Sequence, residues 1–304
     1  MEFTVPLGSP FSLEHTLESG QLFRWERRGE WWQGVVGGWA LKVKQEGDVL
    51  RCSSSSEGAD SLFVTRYFRL DEDLDHVLAS ISRDQTMARA VQRYYGLRLV
   101  RQDTWECLAS FVLATNANIP RIKKMVSAIC AKFGSAFEFD GDTWRSFPSP
   151  DALAQASVSE LSGCGLGYRA PFLKRVSESV SEGKVDFASI SRLDYGAARK
   201  ALLTEVLGRK VLLGVGPKVA DCVLLYSCGK DEAFPIDVWI ARALARSFPR
   251  LLDPKLRSRL ERDGKLKLTL REYERISASA RRRFGAYAGY AQQYLYVAAR
   301  EAET

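Results

Sequence analysis

The sequence predicts an α+β protein, with a small N-terminal antiparallel β domain followed by a larger, mainly helical domain. Two observations carry this. Between Trp31 and Cys52 the chain runs in short, partly alternating segments rich in aromatic and β-branched residues: Trp31–Val36, Trp39–Lys44 and Asp48–Cys52. From Asp71 the apolar residues instead recur at three- and four-residue spacing, the period of a helix with one buried face. The expected division falls at residue 101, giving a β-rich unit over 1–101 and a helical unit over 102–304.

Each element follows from local signals. Ser19 to Trp25 reads as a turn entering the first strand. Gly37-Gly38 is a two-residue hairpin signal between the next two, and the serines at 53–56 read as a turn. Met87, Val91 and Tyr94 mark one helix, and Trp105, Leu108 and Val112 the next. Ile122, Met125, Val126, Ile129 and Phe133 mark a third. Trp144 to Pro150 is expected to be a proline-bearing connection. Ser157 and Glu160 have the spacing of a capping box for a helix ending near Gly163. Gly165 to Ala170 is a loop, after which Pro171 opens a helix carrying Phe172, Val176 and Val180. Ala201, Leu202, Val206 and Leu207 predict another helix. The last, about 287 to 300, follows an arginine run at 281–283 and buries Tyr287, Ala291, Tyr294 and Leu295.

Composition narrows the class of partner. Among 304 residues, 46% are hydrophobic and 27% charged, ordinary values for a chain with a packed core. A net charge of +7 points towards a polyanion. No apolar run is long enough to span a bilayer, and the N-terminus lacks the pattern of a secretion signal. Six scattered cysteines imply reduced, buried thiols in an intracellular protein. Without close Cys-x-x-Cys pairs, and with His15 and His76 the only histidines, no metal or cofactor is expected.

The most informative stretch is Leu212-Leu213-Gly214-Val215-Gly216-Pro217-Lys218-Val219-Ala220-Asp221. Gly214 and Gly216 form a hairpin, and Pro217 suits the first turn of a helix. Backbone N–H groups beside a helix N-terminus can hold a DNA phosphate without reading sequence. Lys218 lies in that first turn, where the helix dipole disfavours the ammonium form. Asp237 follows Pro235 by two residues and precedes Val238, Ile240, Ala241 and Leu244, as an N-cap would. Either residue alone reads as an ordinary helix residue or cap. Together, an amine nucleophile and a fixed carboxylate suit attack at a sugar C1′, where positive charge develops as a base departs.

These motifs, with Pro235-Ile236-Asp237-Val238, resemble the helix-hairpin-helix DNA glycosylases of the glycine/proline/aspartate type. Within them the chain looks most like the 8-oxoguanine DNA glycosylase/AP lyase branch, with matches from Ser19 to Tyr296. The resemblance implies a soluble, DNA-associated monomer acting on duplex DNA containing 8-oxoguanine, in whichever compartment holds the DNA. Lys218 would attack C1′, giving a Schiff base that permits β-elimination, and Asp237 would stabilise the cationic sugar.

It also implies the binding residues. Gly20 would offer its carbonyl to the N7–H that 8-oxoguanine has and guanine lacks, while Gln292 would bond the Watson–Crick edge. Tyr296, where relatives often carry Phe, and Cys222 would sandwich the ring; both also read as plain core. Glycosylases extrude their target base and leave an orphan partner. Asn116 would fill that gap, Arg121 and Arg169 would contact the orphan cytosine, and Tyr168 would wedge beside it. Ala117 replaces the middle of three asparagines in this loop, and Trp239 stands where relatives have a histidine near the substrate phosphate. Two other readings are a glycosylase for another lesion and a silent DNA-binding module; Lys218 counts against the first, and Lys218 with Asp237 against the second.

Overall fold

The computed structural model describes residues 1–206, 209–263 and 268–302. Five strands among these form one antiparallel sheet: β1 (Glu2–Pro6), β2 (Trp25–Arg28), β3 (Trp31–Val36), β4 (Trp39–Glu46) and β5 (Val49–Ser54), in the order β1-β5-β4-β3-β2. Val36 pairs with Trp39 around the Gly37-Gly38 turn. Leu41, Val43 and Leu50 lie on the buried face, fully enclosed. Each such side chain contributes roughly 1.5–3 kcal/mol by leaving water.

Two short helices break the β-rich region and were not anticipated: α1 (Leu13–Glu18), between β1 and β2, and α2 (Ser61–Tyr67), after β5. Ser12 caps the first and Asp60 the second, each accepting from the backbone N–H three residues on. Val64 and Tyr67 of α2 close the sheet's core against Trp25, whose Nε1 donates to Tyr67 Oη at 3.0 Å.

Next come α3 (Leu74–Ile81), α4 (Gln85–Arg93), α5 (Thr104–Leu113) and α6 (Ile119–Phe133). Asp73, Asp84, Asp103 and Asn118 cap them in turn. The stretch expected as a proline-bearing connection begins within a strand. β6 (Ala136–Phe139) and β7 (Asp142–Arg145) form a hairpin that includes Trp144. Asp140 and Gly141 turn it with φ of 55° and 78°, the geometry an Asp-Gly pair supplies most readily.

The capping box of Ser157 and Glu160 opens α8 (Val158–Leu161), after α7 (Pro150–Gln155), and short helical turns lead through Tyr168 into α9 (Ala170–Ser181). After α10 (Phe187–Arg192), α11 (Tyr195–Leu202) ends earlier than its apolar pattern suggests. Instead of a helix through 206, Glu205–Val206 forms strand β8, paired with β9 (Arg209–Lys210). Strand pairing takes over the backbone hydrogen bonds that a continued helix would have made; Leu207 lies outside the described residues. The remainder is α12 (Pro217–Tyr226), α13 (Val238–Ser247), α14 (Pro254–Asp263), α15 (Leu270–Phe284) and α16 (Ala288–Glu301).

Two apolar clusters result. One fills the sheet with α1 and α2; the other joins α3 to α6 with all the later helices. Buried polar groups lock them together. Arg98 is fully enclosed and donates to the carbonyls of Pro10, Arg69 and Glu72. Arg69 in turn grips the Asp231 carboxylate with both terminal nitrogens, at 2.8 and 2.5 Å. Asp231 lies between α12 and α13, so this clasp fixes the β unit against the two helices that carry Lys218 and Asp237.

Candidate active site

Gly214 sits at φ +87°, and a Cβ there would stand 3.0 Å from the Cβ of Phe172, so only glycine fits the hairpin beside α9. Gly216 is the N-cap of α12, with Pro217 first and Lys218 second in the helix. The amides of Gly214 and Gly216 donate to nothing among the described residues, and both residues are partly exposed. They are placed to receive an anion.

The Lys218 side chain is half-buried, its Nζ 5.2 Å from the centre of the Phe111 ring. It forms no ion pair among the described residues. Asp237 caps α13, accepting from Ile240 N at 2.9 Å. Protein surrounds most of its carboxylate while part of the residue stays accessible. Burial raises its pKa, and the nearby Lys218 charge and the amides of Ile240 and Trp239 pull it back down. Lys218 and Asp237 therefore feel each other's field without a direct hydrogen bond.

Cys222 lies one helical turn beyond Lys218 and is 2% exposed; burial pushes its thiol up to about 12, so it is a neutral, apolar surface. Burial likewise raises Tyr296 to about 12, with Asp237 and Cys222 among its electrostatic neighbours. Gly20 has φ +83°, and a Cβ on it would come within 3.0 Å of Tyr296 Cε1 and 3.1 Å of Ile119 Cδ1. Gln292, one turn before Tyr296 on α16, is 4% exposed, and its Oε1 is buried without a hydrogen-bond partner. An unmet acceptor of this kind costs ~1–3 kcal/mol and can take a donor. Lys218, Asp237, Cys222 and Tyr296 thus lie within one another's electrostatic reach, with Gly20 against Tyr296 and Gln292 one helical turn away from it.

A second group forms the adjoining surface. Asn116 is exposed at φ 51°, a conformation asparagine tolerates better than most residues, and its Nδ2 donates to Tyr168 Oη at 3.2 Å. Tyr168 is 51% exposed, donates to the Thr115 carbonyl at 3.0 Å and packs edge-on against Phe172. Phe172 ties this wedge to the glycine hairpin. Arg121 is exposed, and its guanidinium has no partner among the described residues.

Arg169, unlike Arg121, is enclosed by protein. Its side chain is 1% exposed, donating to the Thr115 carbonyl through Nε at 2.8 Å and through Nη2, and to the Asn116 carbonyl at 3.0 Å. The end of α5 leaves carbonyls that need donors, and a cation meets them best. Arg169 therefore holds the asparagine loop in shape. The sequence also did not single out Phe111, Tyr226, Gln293 or Arg300, whose only signal is their helical spacing along α5, α12 and α16. The Trp239 ring lies 5.8 Å from the Arg242 guanidinium carbon.

Residues 5–108 match the family described as the N-terminal domain of 8-oxoguanine DNA glycosylase, and residues 109–263 match the HhH-GPD superfamily of base excision DNA repair proteins. A probable N-glycosylase/DNA lyase of Methanothermobacter thermautotrophicus is 30% identical over 97% of this chain and 95% of its own length. The structure of MBOgg1 in complex with a low-affinity DNA ligand has a TM-score of 0.86 at 31% identity, covering 100% of this chain and 96% of that one. The 8-oxoguanine glycosylase/lyase of Clostridium acetobutylicum, in complex with double-stranded DNA containing cytosine opposite 8-oxoguanine, has a TM-score of 0.84 at 29% identity, over 97% and 93% of the two chains. No helix among the described residues is long and apolar enough to cross a membrane. With both family matches lying on the fold and the site described above, this chain belongs to the HhH-GPD superfamily of base excision DNA repair proteins, among its N-glycosylase/DNA lyases.

Proposed function

We propose that the protein excises 8-oxoguanine opposite cytosine from duplex DNA and then cleaves the strand at the abasic sugar. The supporting observation is the shared electrostatic environment of Lys218, Asp237, Cys222 and Tyr296, beside Gly20 and the unmet Gln292 acceptor. The Lys218 amine attacks C1′, the N-glycosidic bond breaks, and the base leaves with the bonding pair and takes up a proton. The resulting N,O-acetal opens to a Schiff base as the C1′–O4′ bond breaks, with a proton from the attacking amine passing to O4′. Loss of a C2′ proton then expels the 3′ phosphate. Asp237 faces the positive charge that develops on the sugar, so its contribution grows towards the transition state.

Recognition follows from the same assignment. The Gly20 carbonyl accepts N7–H of the lesion, and it meets a lone pair on undamaged guanine. Gln292 bonds the Watson–Crick edge, Cys222 and Tyr296 cover the two faces, and Gly214 and Gly216 hold backbone phosphate. Asn116 and Tyr168 occupy the space left by the extruded base, with Arg121 donating to the orphan cytosine and Arg169 shaping the loop. Two units, 1–101 and 102–304, act as a monomer wherever the cell keeps its DNA. Borohydride reduction on a duplex with 8-oxoguanine opposite cytosine should trap a covalent adduct, and Lys218→Gln should abolish it. An adduct that persists in the variant would show that another amine is the nucleophile.

A further inference from the structure

The backbone on either side of Gly20 is gripped from three places. Arg300 Nη2 donates to the Glu18 carbonyl at 2.7 Å, and Gln293 Nε2 to the Ser19 carbonyl at 2.8 Å. Gln102 Nε2 donates to the Gln21 carbonyl at 2.8 Å. The Gly20 carbonyl, in the middle of this run, accepts nothing from any described residue. Two of the three grips come from α16, the helix that also carries Gln292 and Tyr296.

The grips are themselves braced. Gln293 Oε1 accepts from Tyr226 Oη at 2.6 Å, which leaves only its Nε2 to face Ser19. Tyr226 stacks on Phe111 at 5.4 Å and 12°, and Phe111 is the ring beneath the Lys218 amine. Arg300 lies 5.7 Å from the centre of the Tyr296 ring, and its Nη1 would stand 3.1 Å from a Cβ at Gly20. A glycine at positive φ is the least constrained link in a chain. Left to itself, it would not hold a carbonyl to the fraction of an ångström that separating a donor from a lone pair demands.

We propose that Arg300 and Gln293 are specificity-positioning residues. They fix the 18–21 backbone so that its one unpaired carbonyl, that of Gly20, stays in place to read the damaged base. This rests on the role proposed for Gly20 and adds residues that act through it. Neither side chain touches the sugar chemistry, so a damaged base and a bare abasic sugar should respond differently to their loss.

The test compares two single-turnover rates on duplexes with cytosine opposite the site: excision of 8-oxoguanine, and strand cleavage at a preformed abasic site. Arg300→Ala should slow excision about tenfold or more, since small misplacements of a positioning group cost that much. Abasic cleavage should stay within about twofold of wild type, because no base is there to be read. Arg300→Lys, which keeps a donor for Glu18, should recover most of the excision rate, and Gln293→Met should reproduce the Arg300→Ala pattern. An equal fall in both rates would make Arg300 a structural residue and overturn the proposal, as would unchanged excision. If the wild type cleaves abasic sites but leaves 8-oxoguanine in place, the underlying substrate reading falls and this proposal with it.

Discussion

Asp237→Asn separates chemistry from architecture at one atom. Asparagine retains an oxygen for the Ile240 amide, which Asp237 now engages at 2.9 Å, so the loss of capping should stay within about 1 kcal/mol. Burial already disfavours the carboxylate, and removing that charge offsets part of the loss. The kinetic effect is of another order. A carboxylate roughly 5 Å from a developing unit charge, at an effective dielectric near 20, stabilises it by about 3 kcal/mol, or ~10²-fold in rate. Single-turnover excision should therefore fall about a hundredfold or more. Affinity for lesion DNA, titrated at fixed salt, should hold or improve as a negative charge leaves the phosphate-facing site. The wild-type rate should also drop as pH falls through the raised pKa of Asp237, because only the ionised carboxylate stabilises the cation, and the variant should lack this limb. A variant that excises within about threefold of wild type would reduce Asp237 to a cap and refute the electrostatic assignment.

Glu106, Arg121 and Arg169 carry three more predictions. Burial pushes the Glu106 carboxyl up to about 7, with Arg24 at 3.3 Å opposing it. The folded protein thus holds a proton that the unfolded chain has released, so stability is fullest below the ordinary carboxylate range and declines as pH rises towards 7. The decline is at most about 3 kcal/mol, and the 20% exposure of the side chain reduces it. Urea unfolding at pH 5 and pH 7.5 should show Glu106→Gln gaining on wild type at the higher pH; a pH-independent difference would remove burial as the cause. At the loop, Arg121→Ala should flatten the preference for cytosine opposite the lesion. Arg169→Ala should instead slow excision opposite every base, about tenfold, by releasing the Thr115 and Asn116 carbonyls. Excision measured opposite each of the four bases distinguishes the two patterns; a wild type indifferent to the opposing base would sink the first, and an Arg169→Ala rate equal to wild type the second.

What was legible in the sequence was what local chemistry dictates. The Gly214–Pro217 turn, the capping box at Ser157 and the Asp237 cap depend on residues within a few positions of one another, and the structure forms each of them. Features set by closure across the fold were not legible. The apolar pattern at 201–207 suits a helix, yet pairing of β8 with β9 ends it at Leu202. An Asp-Gly signal was present at 140–141, but the flanking strands bury too little to announce themselves. Arginine at 169 looks the same in sequence as at 121; one is buried because the end of α5 leaves carbonyls beside it, and that neighbour appears only once the loop folds back.

The same distinction explains why the site spans both units. Lys218 and Asp237 can be placed by short-range signals because a nucleophile and a carboxylate need only two helix starts held near each other. Distinguishing a lesion from guanine needs an acceptor that cannot relax, and a helix start supplies donors, not acceptors. The acceptor has to come from a carbonyl outside any helix or strand, and Gly20 lies in such a segment, between α1 and β2. A lone carbonyl there would rotate or pair with water. On the proposed reading it is held by Arg300, 282 residues from its partner Glu18, and Gln293, 274 residues from Ser19, which occupy the carbonyls beside it.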